Sequence, residues 1–258
     1  MGPLMPTVSA AGTTIRYDSR GTRGPVLVLV HGSGGNAAVW HPQIDALADI
    51  ARVFALDLPG HGGSDGSFAT IDDAVAVVRG FVDALGLGNV VIGGHSMGGA
   101  IAQGFVLAAP HRTAGVALIG TGARLRVLPK IIQTLEQDHP AGVQFLIELA
   151  VAASAPEPLK RAVLEETMRA PARSLIADFR ACDRFDVMAR LGEIRAPTLV
   201  VTGVEDRLTP RKYAEYLAKH IAGAQLALVP GAGHYVQLER PDDVSSALRA
   251  FVLERVRG

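Results

Sequence analysis

The chain has very little cysteine and no excess of either charge sign. The first feature excludes internal disulfides, and the second bears on charged binding partners. Cys182 is the only cysteine among 258 residues, so no internal disulfide can form, which is typical of a reducing compartment. No glycine turn presents this thiol as a nucleophile, and we interpret it as a packing or surface residue. Lysine plus arginine number 25, as do aspartate plus glutamate. This balance gives no reason to expect nucleic acid or an anionic membrane as a partner.

Long apolar runs are also lacking. No run approaches the length of a membrane span, and the start, Met1–Pro6, has no basic stretch followed by an apolar one. We therefore expect a cytoplasmic protein without a membrane partner. At 258 residues, 48% of them hydrophobic, the chain is long enough to bury the large core of a single α/β domain.

Strand and helix patterns alternate along most of the chain, which predicts an α/β fold with a mostly parallel central sheet flanked by helices. An opening hairpin around Ala11–Gly12 precedes Val26–Val30, whose five apolar residues are typical of a strand buried on both faces. Further strands are predicted over 52–56, from 90, and over 114–119, 197–203 and 224–229, with helices over 39–51, 72–85, 97–109 and 241–256.

The pattern changes over residues 122–195, where helix-like segments broken by prolines replace the alternation. We predict a single domain, 1–258, with a core of 1–121 and 196–258 and a helical cap insertion of 122–195 before the last strands. Open α/β sheets bind ligands at the carboxyl edge of their strands, so the cap would define the substrate pocket. The mixed charges from Asp178 to Arg195 indicate a solvated cap helix. Candidates for lining an acyl pocket are Phe145, Leu146, Phe179 and Phe185.

The segment Gly94-His95-Ser96-Met97-Gly98 places a serine between glycines, after an apolar run and before a helix-like stretch. Gly94 and Gly98 have no Cβ, so two backbone segments can approach closely on either side of a strained Ser96. Such a turn exposes the Ser96 hydroxyl and directs the Met97 N–H at charge that develops beside it. Ser96 is therefore the candidate nucleophile, and Met97 is a candidate oxyanion-hole donor.

A serine hydroxyl needs a base within hydrogen-bond reach, and that base needs an orienting acid. Asp206 lies in the loop after the strand at 197–203, and His234 lies in the glycine-rich loop after 224–229. The chain order Ser96, Asp206, His234 is that of a hydrolase triad on a parallel sheet. Glu205 is a second candidate acid. Asp57, interpreted as holding the turn at 59–62, is a spare one.

The chain resembles the α/β-hydrolase superfamily over nearly its whole length, in particular serine-nucleophile, esterase-like members with a helical cap. Five segments, each at the end of a predicted strand, carry the resemblance: His31-Gly32-Ser33-Gly34-Gly35, residues 57–64, Gly94–Gly99, residues 203–210 and Gly231-Ala232-Gly233-His234. The resemblance implies the α/β-hydrolase fold and favours Asp206 over Glu205. It also implies that the backbone N–H of Ser33 is the second oxyanion-hole donor, beside that of Met97.

The expected reaction is cleavage of carboxylic esters of small to medium, largely apolar substrates through an acyl-enzyme on Ser96. His234 would take the serine proton and then protonate the leaving group, while Asp206 fixes the imidazole tautomer. This reaction requires no cofactor, and a small-molecule ester is the expected partner. No metal is expected either, because four further histidines show no ligand spacing. They are His41, His111, His139 and His220.

The same residues leave other activities open. They are carbon–carbon bond hydrolysis, lactone or thioester hydrolysis, cofactor-free perhydrolysis, and the binding of a ligand by a non-catalytic receptor. A carbon–carbon hydrolase needs polar residues that grip a dienoate carboxylate, for which Arg124, Arg126 and Arg180 are candidates. The oligomeric state cannot be read from the sequence.

A dinucleotide site is a further alternative, because Gly32–Ala37 follows the pattern G-x-G-x-x-A and Asp57 comes 20 residues after Ala37. Against it, two β segments precede this strand, and Ser96 and His234 would have no role. His31, at the end of the same strand, is interpreted as a hydrogen-bonding loop residue and not as a second base.

Overall fold

The computed structural model describes residues 6–256, which form one eight-stranded sheet with helices packed on its faces. Over these residues the strands are β1 Thr7–Ala10, β2 Thr13–Arg20, β3 Val26–Val30, β4 Arg52–Leu56, β5 Val90–His95, β6 Thr113–Ile119, β7 Thr198–Gly203 and β8 Gln225–Val229. The start of the chain was expected to lack a targeting signal, and all of it except Pro6 lies outside the described residues.

The sheet is mostly parallel, which confirms the predicted α/β class. Its strand order is β1-β2-β4-β3-β5-β6-β7-β8. The pairs β1–β2 and β2–β4 are antiparallel, and all the following pairs are parallel. In β3, Val30 lies opposite Leu56 on one side and Gly94 on the other. The parallel strands therefore end side by side, and the loops that follow them meet at one edge of the sheet.

The helices cover both faces of this sheet. Over residues 6–256 they are α1 His41–Leu47, α2 Ile71–Ala84, α3 Met97–Ala108, α4 Pro129–Gln137, α5 His139–Ala150, α6 Glu157–Arg169, α7 Ala172–Arg184, α8 Arg211–His220, α9 Val236–Glu239 and α10 Pro241–Arg255. One buried apolar cluster includes side chains of α2, α3 and α8, and a second includes side chains of α1 and α10. In the described part of the chain, no helix is both long enough and apolar enough to cross a membrane.

The helix predicted over 39–51 is shorter than expected. Ala37–Trp40 form a 3-10 turn, and α1 follows only over His41–Leu47. Pro42 accounts for this division, because a proline has no backbone N–H and suits only the first turn of an α-helix.

Between β6 and β7 the chain leaves the sheet and forms α4 to α7, as predicted for a helical insertion before the last strands. These helices contribute to a third buried apolar cluster, which includes Ile131, Leu146 and Leu175. At the base of the insertion, Arg124 bridges to Asp186 through both backbone and side chain. The two ends of the insertion are therefore held together near the sheet.

Candidate active site

Ser96 occupies a strained turn between β5 and α3. Its φ is 53° and its ψ is −115°, and Ala11 is the only other non-glycine residue of 6–256 with a positive φ. Such a conformation costs about 1–3 kcal/mol and persists only when the surroundings hold it. Here the Ser96 N–H donates to the Ile119 carbonyl at 2.9 Å, and the Gly99 N–H donates to the Ser96 carbonyl at 2.9 Å.

The two glycines beside Ser96 are close to backbone, as predicted. A Cβ on Gly94 would lie 2.0 Å from the Gly98 carbonyl oxygen, and a Cβ on Gly98 would lie 2.2 Å from the Val30 carbonyl oxygen. These distances are far below van der Waals contact, so any other residue at either position would force the backbone apart. The serine turn therefore depends on both glycines.

His234 and Asp206 meet behind this turn. His234 follows β8, Asp206 follows β7, and the His234 Nδ1 lies 2.9 Å from the Asp206 Oδ2. The two side chains are 5% and 0% exposed. Because a carboxylate oxygen accepts, the Nδ1–H donates, and this tautomer leaves Nε2 as the acceptor nitrogen of a neutral imidazole.

Thr209 fixes the orientation of Asp206, a contact that the sequence analysis missed. The Asp206 carboxylate accepts the Leu208 N–H at 2.9 Å, the Thr209 N–H at 2.8 Å and the Thr209 hydroxyl at 2.7 Å. Burial alone would raise the pKa of Asp206, but the contact with His234 and the Thr209 donors hold it below its ordinary value. The signal was an Asp-x-x-Thr sequence after a strand, in which aspartate commonly binds following N–H groups.

Ser96 and His234 line one cavity of 370 Å³ together with Ser33. Much of its wall is apolar and comes from the insertion, including Leu125, Val127, Ile131, Leu146 and Phe179. Of the four residues predicted to line an acyl pocket, Leu146 and Phe179 do so, whereas Phe145 and Phe185 do not. Within residues 6–256 the Ser96 hydroxyl makes no hydrogen bond to His234, an arrangement that is common before substrate binds.

Ser33 and Met97 face each other across the same region. Ser33 lies in the loop after β3, and its Oγ is 3.6 Å from the Met97 Sδ. Met97 is the first residue of α3, where a backbone N–H has no partner within the helix. No acceptor among residues 6–256 takes the backbone N–H of either residue. Both N–H groups therefore remain available to a ligand.

Comparison with known proteins identifies the family. A family model described as the alpha/beta hydrolase family matches residues 27–247, which is most of the chain. The chain belongs to the alpha/beta hydrolase family. Its relatives and structural neighbours include several hydrolases, so the expectation of an enzyme is confirmed, and enzymes of this family act on small-molecule substrates.

Named relatives of this hydrolase differ in the bond that they cleave. The 2-hydroxy-6-oxononadienedioate/2-hydroxy-6-oxononatrienedioate hydrolase of Burkholderia vietnamiensis is 31% identical, over 93% of this chain and 92% of the relative. The pimeloyl-[acyl-carrier protein] methyl ester esterase of Nitrosomonas europaea is 27% identical, over 88% and 96%. The solved structure of a thermophilic esterase has a TM-score of 0.87 at 32% identity, over 96% and 97%.

Asp57 of this hydrolase has a structural role, as the sequence predicted. It is fully buried and accepts the Ala37 N–H at 2.8 Å, the Gly63 N–H at 2.8 Å and the Arg16 guanidinium at 2.9 Å. Hydrogen bonds to two loops thus occupy its carboxylate oxygens. Asp57 serves neither as a spare acid for His234 nor as a ribose ligand. Glu205 is exposed and makes no contact with His234.

His31 fixes the loop that carries Ser33, which confirms its predicted role. Its Nδ1–H donates to the Gly32 carbonyl at 2.7 Å, and its Nε2 accepts the Leu58 N–H at 3.0 Å. Both bonds require the neutral imidazole. Consistent with this, burial together with the neighbouring His61 lowers the pKa of His31 to about 3.

Asp178 corrects the prediction of a solvated cap helix. Although it belongs to α7 in the insertion, it is 1% exposed, and its Oδ2 accepts the Gly34 N–H at 3.0 Å and faces the His61 Nε2 at 2.9 Å. The His61 Nδ1 faces the Pro59 carbonyl at 3.1 Å, so both ring nitrogens donate and His61 is an imidazolium. Burial is the largest single effect and opposes that charge, but the hydrogen bond and charge of Asp178, together with the Pro59 carbonyl and Asp57, raise the pKa of His61.

Cys182, one turn after Asp178, is a buried packing residue and not a surface one. Its Sγ lies 3.8 Å from the Ser33 Oγ, and it lines the same cavity as Ser96 and His234. Burial raises the pKa of this thiol to about 12, so it stays protonated and contributes shape to the cavity.

The histidine loop is tied to the insertion. The His234 N–H donates to the Ala150 carbonyl at 2.7 Å, at the end of α5. The Glu239 Oε2 accepts the Ala152 N–H and the Gly233 N–H, both at 2.9 Å. One carboxylate thus holds the chain just after α5 against the chain just before His234.

Proposed function

We propose that this hydrolase cleaves carboxylic esters of small to medium, largely apolar substrates through an acyl-enzyme on Ser96. One observation carries the proposal. The strained Ser96 turn and the His234 ring, whose Nδ1 lies 2.9 Å from the Asp206 Oδ2, line one cavity of 370 Å³, and the wall of this cavity is mainly apolar. Such a cavity lies within the size range of pockets that enclose small ligands.

In the proposed mechanism, the Ser96 hydroxyl attacks the ester carbonyl while the His234 Nε2 takes its proton. Asp206 keeps the Nδ1–H in place and stabilises the imidazolium that forms. His234 then protonates the departing alcohol, and water attacks the acyl-enzyme with His234 again as the base.

The backbone N–H groups of Met97 and Ser33 are the proposed donors to the tetrahedral oxyanion. Their unoccupied donor positions beside Ser96 support this assignment. Loss of one such donor typically lowers kcat about 10²- to 10³-fold.

We also propose that residues 122–195 act as a substrate-selecting cap on a core of 1–121 and 196–258. The cavity wall supports this division, because most of its apolar residues lie between 125 and 179. Exchange of residues in that range should change substrate preference more than the same exchange in the core.

Steady-state hydrolysis of p-nitrophenyl esters from acetate to palmitate tests the ester proposal. We expect turnover that peaks at short to medium chains and falls at least about 10⁴-fold in Ser96→Ala. Ser154→Ala, at an exposed serine, is the matched control and should retain full activity. Equal rates in wild type and Ser96→Ala would overturn the proposal.

Carbon–carbon bond hydrolysis is the second candidate, because one arginine predicted to grip a carboxylate lines the cavity. Arg126 does so, whereas Arg124 pairs with Asp186 and Arg180 pairs with Glu136. The decay of a 2-hydroxy-6-oxo-dienoate chromophore measures this activity. Serine-dependent decay faster than any ester hydrolysis would make it the main function.

A further inference from the structure

The charged side chains around the active-site cavity all have one sign. Arg126, Arg207 and Lys212 line it, and among the described residues no aspartate or glutamate does. Positive charge attracts an anion and raises its local concentration, although the charge of Arg126 also acts on the Asp186 carboxylate and contributes to lowering its pKa. An apolar ester alone gives no reason for three cations at this place.

These cations are not paired elsewhere in residues 6–256. The guanidinium of Arg126 donates to the Asp183 backbone carbonyl at 3.2 Å, and that of Arg207 donates to the Glu148 backbone carbonyl. The Lys212 ammonium has no hydrogen-bond or ion-pair partner in this part of the chain, whereas Arg211 beside it on α8 pairs with Glu215 at 2.7 Å.

Two of the cations also line a second cavity. This cavity has a volume of 430 Å³, and Arg126, Lys212 and Tyr213 belong to the walls of both cavities. Its remaining wall includes the apolar surfaces of Met188 and Tyr216. Arg126 and Lys212 therefore stand at the junction of the two cavities, where a substrate longer than the first cavity would pass.

We propose that this junction is a carboxylate subsite and that the preferred substrates are esters carrying a carboxylate at the end remote from the scissile bond. The proposal rests on the proposed ester hydrolysis. The planar guanidinium of Arg126 can bind a carboxylate through two N–H groups, and the Lys212 ammonium adds a second positive charge. In this arrangement the chain between the scissile bond and the carboxylate lies in the first cavity, which holds both Ser96 and the two cations.

Matched ester pairs test the subsite. On the acyl side, 4-nitrophenyl hydrogen adipate is compared with 4-nitrophenyl hexanoate. On the alcohol side, 4-acetoxybenzoate is compared with 4-tolyl acetate. The readout is the ratio of kcat/KM for the carboxylated ester to kcat/KM for its neutral partner, measured in wild type, Arg126→Gln, Lys212→Gln and the double variant.

We expect this ratio to fall about 2- to 5-fold in each single variant for one of the two pairs, because both cations are exposed and partly screened. The double variant should lose more than either single variant, since two charges then leave the same site, although the two effects need not multiply because the cations share one partner. Sodium chloride raised from about 0.05 M to 0.5 M should lower the wild-type ratio and leave the ratio of the double variant nearly constant. Arg211→Gln and Lys219→Gln, on the same helix but outside both cavities, are the controls and should keep the wild-type ratio.

The outcomes separate the two proposals. Serine-dependent hydrolysis with the same ratio in wild type and the double variant, for both pairs, would overturn the carboxylate subsite and leave the ester hydrolase standing. Hydrolysis of neither carboxylated nor neutral esters would overturn both.

Discussion

Removal of the Asp178 carboxylate tests whether α7 holds the loop that carries Ser33. The Oδ2 of Asp178 accepts from the Gly34 N–H at 3.0 Å and from the His61 Nε2 at 2.9 Å. Asp178→Ala removes both contacts. Asp178→Asn keeps an uncharged oxygen at the Oδ2 position, which can still accept from the Gly34 N–H and from an Nε2–H of His61. The two variants therefore separate the loss of charge from the loss of hydrogen bonds.

Asp178→Ala should lower the free energy of unfolding by about 3–5 kcal/mol, because breaking a buried ion pair leaves its other partner uncompensated. The His61 and Asp178 side chains are each 1% exposed, so water does not screen the pair. The unsatisfied Gly34 N–H alone accounts for about 1–3 kcal/mol of that loss. Asp178→Asn should lose only about 1–2 kcal/mol, since a charge-assisted hydrogen bond becomes a neutral one.

The effect of Asp178→Ala should depend on pH with a defined sign. The pKa of His61 is raised above its ordinary 6.5 in the folded chain, so between 6.5 and the raised value the folded state binds more protons than the unfolded state. The stability that the pair contributes is complete below pH 6.5 and falls as pH rises through the folded pKa. The difference between wild type and Asp178→Ala should therefore be largest on the acid side.

Urea unfolding at about pH 6 and at several higher values measures this difference. Glu165→Ala, at an exposed cap glutamate without an ion pair in residues 6–256, is the control. On p-nitrophenyl esters, kcat should fall more than KM changes, because displacement of the loop moves a proposed oxyanion donor. A loss below about 1 kcal/mol in Asp178→Ala, or losses in the two variants that are equal at every pH, would refute the reasoning.

Three further predictions concern the proposed triad and its turn. Asp206→Asn should lower kcat about 10³- to 10⁴-fold on p-nitrophenyl esters, because the Nδ1–H loses the anion that orients it; full activity would assign the acid elsewhere. Thr209→Val removes a 2.7 Å hydrogen bond to Asp206 and should lower kcat/KM about 10-fold with an unchanged circular dichroism spectrum; an unaltered kcat/KM would remove Thr209 from the site. Gly98→Ala places a Cβ 2.2 Å from the Val30 carbonyl oxygen, whereas the Cβ that Gly192→Ala adds meets no atom within 4 Å. Thermal melting should show a severe loss of stability in Gly98→Ala and a change in stability within about 0.5 kcal/mol in Gly192→Ala. Equal melting temperatures in the two variants would contradict the steric argument.

The sequence was sufficient for the sheet and for the gathering of Ser96, Asp206 and His234 because these features depend on local patterns. Each residue follows an apolar run, and two of them lie among glycines. The carboxyl ends of parallel strands meet at one edge, so strand ends alone place such residues near one another.

Asp178 and Thr209 could not be predicted in the same way. Asp178 lies in a run of mixed charges typical of a solvated helix, and its contact with Gly34 joins residues 144 positions apart. No periodicity within α7 indicates that one of its charges is buried against a loop of the sheet. Thr209 acts through a short turn whose importance appears only once His234 is placed beside Asp206.

The attachment of the histidine loop to residues 150–152 limits how this enzyme can diverge. Because the Ala150 carbonyl and the Ala152 N–H hold the chain around His234 through backbone groups and Glu239, the path of the main chain over 150–152 cannot change, and both alanine side chains are buried as well. A cap transplanted from a relative would function only if it reproduced that path beside a glutamate at 239. Exchange of caps within the family should therefore keep the main chain over residues 150–152 unchanged. New specificities should arise by exchange of the segments on either side of these residues.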